Sequence, residues 1–249
     1  MLSGGKSNNA KIERSYCLLS TTKLGIPPQH EEMFKAINAA SMHYMYCPAF
    51  DASHDYEHCQ RVVMLAYEMY EEHKHDDWAK YIDPTVLYIA CLVHDVGDAK
   101  YHVPIANDER DQEDIVRDFL EAHGCTDLLI LREVAWIAAR VSFSREVKSP
   151  ERTLKECEEV PALRIVQDAD RLDGLGAIGI GRAFVFGGIN EERRTNTIHT
   201  GIELHFQRFE KYRALMKTDR GRDEAKKRLK RMALFREQWA EETEVITML

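Results

Sequence analysis

Apolar residues recur along most of the chain at spacings of three and four, which is the period of an amphipathic α-helix. The pattern predicts helices near residues 29–46, 54–74, 84–96, 108–123, 127–141, 161–173, 176–186, 199–217 and 222–244. No stretch sustains the apolar–polar alternation of a half-buried strand, so we expect little or no sheet. Because the predicted helices follow one another with short connections, we expect an all-α fold, namely a single-domain helical bundle.

Two segments depart from this helical pattern. Residues 1–27 are rich in Gly, Ser and Asn and close at Pro27-Pro28, so they are predicted to form a flexible tail ahead of one domain at residues 28–249. Residues 144–160 are densely charged and contain Pro150, and they are predicted to form a mobile loop.

The composition narrows the class of protein. The chain of 249 residues has a formal net charge of −8 and therefore lacks the basic surface of a general nucleic-acid binder. This charge does not exclude the binding of a small anionic ligand by a few local cations. Six scattered cysteines without a C-x-x-C pair predict reduced thiols. The polar start lacks the core of a signal peptide, and the longest apolar run, Val86–Val93, is too short to cross a bilayer. We therefore expect a soluble cytoplasmic protein that binds neither membranes nor nucleic-acid polymers.

Two histidines interrupt otherwise apolar helix faces. His58 lies four residues before Val62, on an apolar stripe that continues to Leu65. His94 follows Cys91 by three residues on the next predicted helix, 84–96. Both side chains are therefore expected to face the core. A single inward histidine is usually a hydrogen-bonded core residue, so neither histidine alone indicates a ligand.

Acidic residues accompany these histidines. Asp95 follows His94 directly and lies about 100° further round the helix. Asp168, Asp170 and Asp173 fall within six residues, and helical periodicity alone does not choose between Asp168 and Asp170 as the inward one. Buried carboxylates are costly unless they are paired, hydrogen-bonded or bound to a metal. The combination predicts a metal site with nitrogen and oxygen ligands, which suits Mn²⁺, Fe²⁺, Co²⁺, Ni²⁺ or Mg²⁺ better than a thiolate-bound structural zinc.

The order of these residues is that of a known family. The H…HD…D pattern, within the stretches SHDYEHCQRV, LVHDVGDAKY, IVQDADRLDGLGAIGIGRAF and HFQRFEKYRALMKT, resembles the HD-domain superfamily of metal-dependent phosphohydrolases. It is most similar to the small single-domain branch that includes bacterial nucleoside triphosphate pyrophosphohydrolases. The resemblance runs from about residue 30 to the C-terminus. It implies an HD-domain helical bundle, one divalent metal ion as cofactor, and a nucleotide or similar phosphorylated small molecule as substrate.

The resemblance also assigns the ligands. It makes His58, His94, Asp95 and Asp170 the metal ligands, and Asp170 is chosen because the family places its last ligand at the A-D-R-L sequence. His54 and Asp55 match the start of the family's His-Asp-x-x-His sequence.

Further residues are expected to act on the substrate. Asp98, which belongs to the family's Asp-x-Lys sequence, or Asp173 is expected to accept a proton or orient the attacking water, and His54 is expected to support the catalytic centre. The expected substrate-binding residues are Lys100, Arg61, Arg140, Ser142 and Arg145. Ser142 lies in the segment that resembles the family's substrate-side loop, and the four cationic residues are expected to neutralise phosphate oxygens.

These residues together predict a metal-dependent phosphohydrolase, most specifically a nucleoside triphosphate pyrophosphohydrolase that uses metal-activated water. Two alternatives are an HD-type di-iron oxygenase and a nucleotide-binding HD module without catalysis. A second iron would need extra histidines between the central pair and the last ligand, where the chain offers only His102 and His123, and His123 is expected to cap a helix. Gly174, Gly176 and Gly179 spell G-x-G-x-x-G, but the helical segment before them argues against a dinucleotide site.

Overall fold

Helices form all the regular secondary structure in the parts of the chain that the computed structural model describes, which are residues 17–48, 50–98, 109–189, 197–204 and 209–244. The helices are α1 (Thr21–Leu24), α2 (Glu31–Met45), α3 (Tyr56–His73), α4 (Pro84–Val93), α5 (Gln112–Ala122), α6 (Leu128–Ala138), α7 (Phe143–Lys148), α8 (Pro150–Glu159), α9 (Ala162–Asp173), α10 (Gly176–Ile189), α11 (Thr200–Leu204), α12 (Glu210–Leu215) and α13 (Asp219–Glu242). The predicted all-α fold is confirmed.

Aspartate side chains mark the starts of several helices. Asp83 accepts a hydrogen bond from the amide of Thr85, and Pro84 occupies the first helical position, as the sequence predicts. Asp55 and Asp127 cap α3 and α6 in the same way. These caps satisfy amides that would otherwise be unpaired and fix where each helix begins.

The centre of the bundle is built from α3, α4 and α9, which pack against one another. Helix α4 is buried all round, and Leu87, Ile89 and Leu92 are each completely shielded from solvent. Burial of each such side chain contributes about 1.5–3 kcal/mol. The end of α4 is therefore held rigidly in the interior, directly before His94 and Asp95. None of the described helices has the length and the apolar character that crossing a membrane requires.

The segment 144–160 is helical, so the prediction of a mobile loop is wrong. Pro150 occupies the first turn of α8, where its missing amide costs no hydrogen bond. The charged side chains that suggested a loop instead form ion pairs, and the carboxylate of Glu156 contacts both Arg145 and Arg152.

The predicted tail is only partly within the described residues. Residues 17–27 contain α1, Ile26 is buried, and the carbonyl of Leu19 accepts a hydrogen bond from Asn38. This part of the chain packs on the domain, contrary to the prediction of a flexible tail for residues 1–27, while residues 1–16 lie outside the described residues. The predicted helix at 199–217 is two helices, α11 and α12, with residues 205–208 outside the described part.

Candidate metal centre

Four side chains from three helices meet at one point. The Nε2 atom of His58 on α3 lies 3.2 Å from Nε2 of His94, 3.6 Å from Oδ2 of Asp95 and 3.5 Å from Oδ1 of Asp170. His94 Nε2 in turn lies 3.4 Å from Asp95 and 3.7 Å from Asp170. The structure therefore brings together all four residues that the family resemblance makes ligands.

The arrangement fits a divalent ion. Metal–ligand bonds of about 2.1 Å place neighbouring ligand atoms about 3.0 Å apart in an octahedron and about 3.4 Å apart in a tetrahedron. The observed separations of 3.2–3.7 Å are close to these values. Oδ2 of Asp95 is buried, and no hydrogen-bond donor among the described residues reaches it. An ion is the simplest partner for a buried carboxylate oxygen of this kind.

The other ring nitrogen of each histidine is already engaged. His58 Nδ1 lies 2.8 Å from a carboxylate oxygen of Asp173, and His94 Nδ1 lies 2.9 Å from the carbonyl of Cys91. Both partners are acceptors, so each Nδ1 carries the hydrogen and each Nε2 presents its lone pair to the centre. A carboxylate or carbonyl behind a histidine is the usual support of a metal-binding imidazole.

The electrostatics of the centre favour a cation. Burial lowers the pKa of His58, and the charge of Arg182 lowers it further. Although burial also disfavours the charged form of His94, the carboxylates of Asp95 and Asp170 raise the pKa of His94 to about 9. His94 in turn holds the pKa of Asp170 well below its usual value despite its burial. The carboxylates of Asp95 and Asp170 thus favour a positive charge at the centre, which is either a proton on His94 or a bound cation.

A tight turn after α4 presents His94 and Asp95. Gly97 adopts a φ of +69°, and a Cβ at this position would lie 2.8 Å from the side chain of Ile115, so only glycine fits. The Gln112 side chain donates hydrogen bonds to the carbonyls of His94 and Val96 at 2.9 and 3.2 Å. These contacts fix the backbone that carries both ligands.

The structure also separates the two aspartates that periodicity left open. Asp168 lies on the other side of α9, fully buried, where its carboxylate accepts hydrogen bonds from the backbone amides of Lys217 and Thr218 and from the Thr218 hydroxyl. It anchors the turn that leads into α13. Asp170, not Asp168, therefore faces the histidines.

Asp173, which was predicted to accept a proton or orient the attacking water, lies behind His58. It is buried, and its carboxylate accepts hydrogen bonds from His58, from Nε of Arg61 at 2.7 Å and from Nη1 of Arg182 at 2.9 Å. Although burial alone would raise it, these partners hold the pKa of Asp173 far below its usual range. The residue orients His58, and Arg61 neutralises Asp173 rather than projecting toward a substrate.

A cavity opens beside the centre, and three of its four residues, His94, Asp95 and Asp170, line it. The predicted residues His54, Asp98 and Ser142 all line it. Further lining residues are Phe143, Arg182, Phe186, Phe209 and Tyr212. Arg182 and Phe186 are functional candidates that sequence reasoning missed, although Arg182 lies within the family-like stretch that contains GAIGIGRAF, which was the available signal.

The remaining predicted phosphate ligands are not in this cavity. Arg140 contacts Glu113 at 2.7 Å and stacks on the ring of Trp136, and Arg145 forms two hydrogen bonds to Glu156. Both guanidinium groups are thus engaged by carboxylates outside the cavity, and their assignment to substrate stays a prediction. Lys100 lies outside the described residues.

Two sequence features outside the centre have structural explanations. The G-x-G-x-x-G sequence follows α9 rather than a strand, and a Cβ on Gly179 would lie 2.1 Å from the carbonyl oxygen of Gly174, so close packing explains the small residues. His123 Nδ1 lies 2.7 Å from the carbonyl of Phe119 at the end of α5, which confirms its predicted capping role. His102 lies outside the described residues.

Comparisons with known proteins agree with this geometry. The chain is 29% identical over 184 residues to the uncharacterized protein YpgQ of Bacillus subtilis, covering 74% of this chain and 82% of YpgQ. The crystal structure of YpgQ in complex with ADP superposes with a TM-score of 0.60 at 25% identity, covering 83% of this chain and 97% of that one. An HD-superfamily hydrolase from Bacillus thuringiensis superposes with a TM-score of 0.57 at 26% identity, covering 86% of this chain and 97% of that one.

The family model for the HD domain matches residues 55–175. This range begins at the cap of α3 and extends just past the end of α9, so it contains all four residues of the centre. Residues 55–175 of the chain therefore match the HD-domain family, and the histidines and aspartates of the candidate centre come from α3, the turn after α4, and α9.

Proposed function

We propose that the protein is a metal-dependent phosphohydrolase that hydrolyses nucleoside triphosphates to release pyrophosphate. The observation that carries the proposal is the convergence of His58, His94, Asp95 and Asp170 on one point at the wall of a cavity. The proposed cofactor is one divalent ion, with Mn²⁺, Co²⁺, Ni²⁺, Fe²⁺ and Mg²⁺ as candidates. An ion held there lowers the pKa of a bound water and polarises a phosphoryl oxygen.

The residues around the ligands suit the remaining steps. His54 and Asp98 line the same cavity as the ligands and are the proposed acceptors for a proton from the attacking water. The ring of His54 is held by a hydrogen bond between its Nδ1 and the Ser53 hydroxyl at 2.8 Å. Arg182 lines the same cavity and is the proposed contact for a phosphate oxygen, although its Nη1 also donates to Asp173 at 2.9 Å.

A nucleotide is the substrate class that the other wall favours. Phe143, Phe186, Phe209 and Tyr212 give the cavity an aromatic side, and aromatic rings stack on nucleobases. The similar protein YpgQ has been crystallised with ADP, which supports a nucleotide for this chain. The combination of an ion site and an aromatic wall is what a nucleotide with a charged phosphate end and an apolar base requires.

The test is a release assay over nucleoside mono-, di- and triphosphates, read separately for orthophosphate and pyrophosphate, with each candidate metal. The key variant is Asp95→Ala, and the matched control is Asp77→Ala, because the Asp77 side chain is fully exposed. We expect pyrophosphate release from triphosphates in the wild type and the control but not in Asp95→Ala. Orthophosphate release from monophosphates alone would replace the pyrophosphohydrolase assignment by a nucleotidase acting at the same site.

Two further outcomes would contradict the proposal altogether. Stoichiometric nucleotide binding without release under any metal would indicate a binding module. Two irons per chain together with oxygen consumption would indicate an HD-type oxygenase. Metal content measured on the same samples distinguishes an unloaded enzyme from an inactive one.

A further inference from the structure

A second cavity lies away from the metal centre, between α8, the start of α9 and residues 214–222. Its volume is about 350 Å³, which falls within the range of small-molecule sites. The two cavities share none of their lining residues. The second cavity therefore needs an explanation of its own.

One side of this cavity is apolar. Leu154, Leu215 and Met216 contribute their side chains to the lining, and Pro150 closes the end near the start of α8. Leu154, a large aliphatic residue on α8, is 54% exposed to solvent. This surface would accommodate the hydrocarbon part of a ligand.

The other side carries three cations. Lys217 has a nearly buried side chain whose ammonium donates to Glu146 at 2.7 Å and to the carbonyl of Leu215 at 3.0 Å, which leaves one of its three hydrogens for a ligand. Arg164 donates from Nε to the carbonyl of Cys157, and no acceptor among the described residues contacts its terminal nitrogens. Arg222 also lines the cavity, but its guanidinium donates to the carbonyl of Met216 at 3.1 Å and pairs with the carboxylate of Asp219.

The two acidic residues of the lining do not cancel these charges. The carboxylate of Glu146 is already engaged by Lys217 and by the buried guanidinium of Arg171, while Glu158 is exposed to solvent. The thiol of Cys157 also lines the cavity, but burial raises its pKa to about 11, so it is a poor nucleophile and a poor metal ligand. These contacts disfavour a cation or a covalent ligand.

We propose that this second cavity is a binding site for a small organic anion, one carboxylate or phosphate group on a compact apolar body. The anionic group contacts Lys217 and Arg164, and the apolar body lies against Leu154 and Met216. Because Lys217 also holds Glu146 of α7, the ligand and α7 share one ammonium group. The site is separate from the proposed hydrolase centre and does not depend on its activity.

The test uses the full chain loaded with Mn²⁺ and the probe 8-anilinonaphthalene-1-sulfonate, which combines one anionic group with an apolar body. Calorimetric titration is expected to give one equivalent bound. The uncharged analogue N-phenyl-1-naphthylamine is expected to bind about tenfold more weakly, since it lacks the charge-assisted hydrogen bonds. Equal affinity for both compounds would overturn the proposal.

Two matched variants locate the probe. Leu154→Trp fills the cavity, whereas Val147→Trp places the same ring on α7 at a residue that is equally exposed, 53%, and does not line the cavity. Probe binding is expected to be lost in the first variant and kept in the second. Binding that survives Leu154→Trp, or that disappears in Phe186→Ala at the metal-centre cavity, would overturn the proposal.

Charge variants complete the test. Lys217→Met is expected to weaken the probe about tenfold by removing the ammonium. Arg164→Gln provides a second charge variant in case Lys217→Met does not fold, and circular dichroism checks each protein before titration. Unchanged affinity in both charge variants would contradict the anionic character of the site.

Discussion

The metal centre and the α7–α8 segment are both rich in charged residues, yet they use charge in opposite ways. In α7 and α8 the two buried carboxylates are paired with cations: Glu156 contacts Arg145 and Arg152, and Glu146 contacts Arg171 and Lys217. At the metal centre Asp95 and Asp170 face two imidazole nitrogens, and one Asp95 oxygen has no donor among the described residues. The comparison teaches that charged residues indicate a ligand site only where the structure leaves their charge uncompensated.

The largest expected effect separates the two aspartates of α9. Asp170→Asn is expected to lower metal affinity at least about 100-fold with little change in the stability of the metal-free protein, because it removes a ligand oxygen. Asp168→Asn is expected to destabilise the fold by about 2–3 kcal/mol and to retain metal binding, since its amide would oppose the backbone amides of Lys217 and Thr218. Calorimetry for the metal and urea unfolding measure the two quantities. Equal loss of metal in both variants would contradict the distinction.

A smaller effect is expected from the residue behind His58. Asp173→Asn is expected to weaken metal binding about 10–100-fold, because the hydrogen bond to Nδ1 of His58 no longer fixes the tautomer that presents Nε2. Cys91 provides the comparison, since it supports His94 through its backbone and Cys91→Ala leaves that carbonyl in place. Metal affinity that falls as much in Cys91→Ala as in Asp173→Asn would show that packing rather than orientation is responsible.

The α7–α8 segment is expected to respond to pH rather than to metal. Arg145 lowers the pKa of Glu156 below its usual 4.5, against the effect of burial, so the charged form stabilises the folded state. This stabilisation is fully present at pH values above the pKa of Glu156 in the unfolded state. It is lost as the pH falls through the lower pKa of Glu156 in the folded state. Glu156→Gln is therefore expected to cost about 1–2 kcal/mol at pH 7 and progressively less as the pH falls below 4.5.

The measurement is the difference in unfolding free energy between the wild type and Glu156→Gln across this pH range, with Mn²⁺ omitted. A difference that stays constant with pH would show that the ion pairs of Glu156 do not stabilise the α7–α8 segment. Metal affinity is expected to stay unchanged in the variant.

The smallest effect is expected at the solvent-facing edge of the same cluster. The Arg152 side chain is 67% exposed and contacts Glu156, which Arg145 already binds with two hydrogen bonds. Arg152→Ala is expected to change stability by less than about 0.5 kcal/mol, because exposed pairs are weakened by solvent and salt. A loss above about 1.5 kcal/mol would show that Arg152 is essential to the cluster.

Sequence patterns predicted what depends on local spacing. His58 and His94 were placed inward because they continue apolar stripes, and the structure confirms that both are buried. The start of α4 at Asp83-Pro84 was also predicted correctly, because the capping signal consists of two adjacent residues. The choice of Asp170 over Asp168 needed the family resemblance. Asp170 lies near His58 and Asp168 contacts Lys217, and both of these partners are remote in sequence.

The features that the sequence did not reveal depend on partners that are remote in sequence. Arg61 pairs with Asp173, 112 residues away, and Arg140 pairs with Glu113, 27 residues away, so no local pattern reveals that these cations are neutralised. Residues 144–160 were predicted as a loop for the same reason: their charge looks unsuited to packing until Glu146 is seen to meet Arg171 and Lys217.

The contact between His58 and Asp173 joins residues separated by 115 positions. Asp170, one of the four candidate ligands, and Asp173, which orients His58, therefore reach the centre only when α9 has docked against α3. Closing so long a loop is entropically costly in the unfolded chain. During refolding, metal binding should consequently appear late and report the arrival of α9. In this protein the ion acts as a reporter of the completed topology as well as its stabiliser.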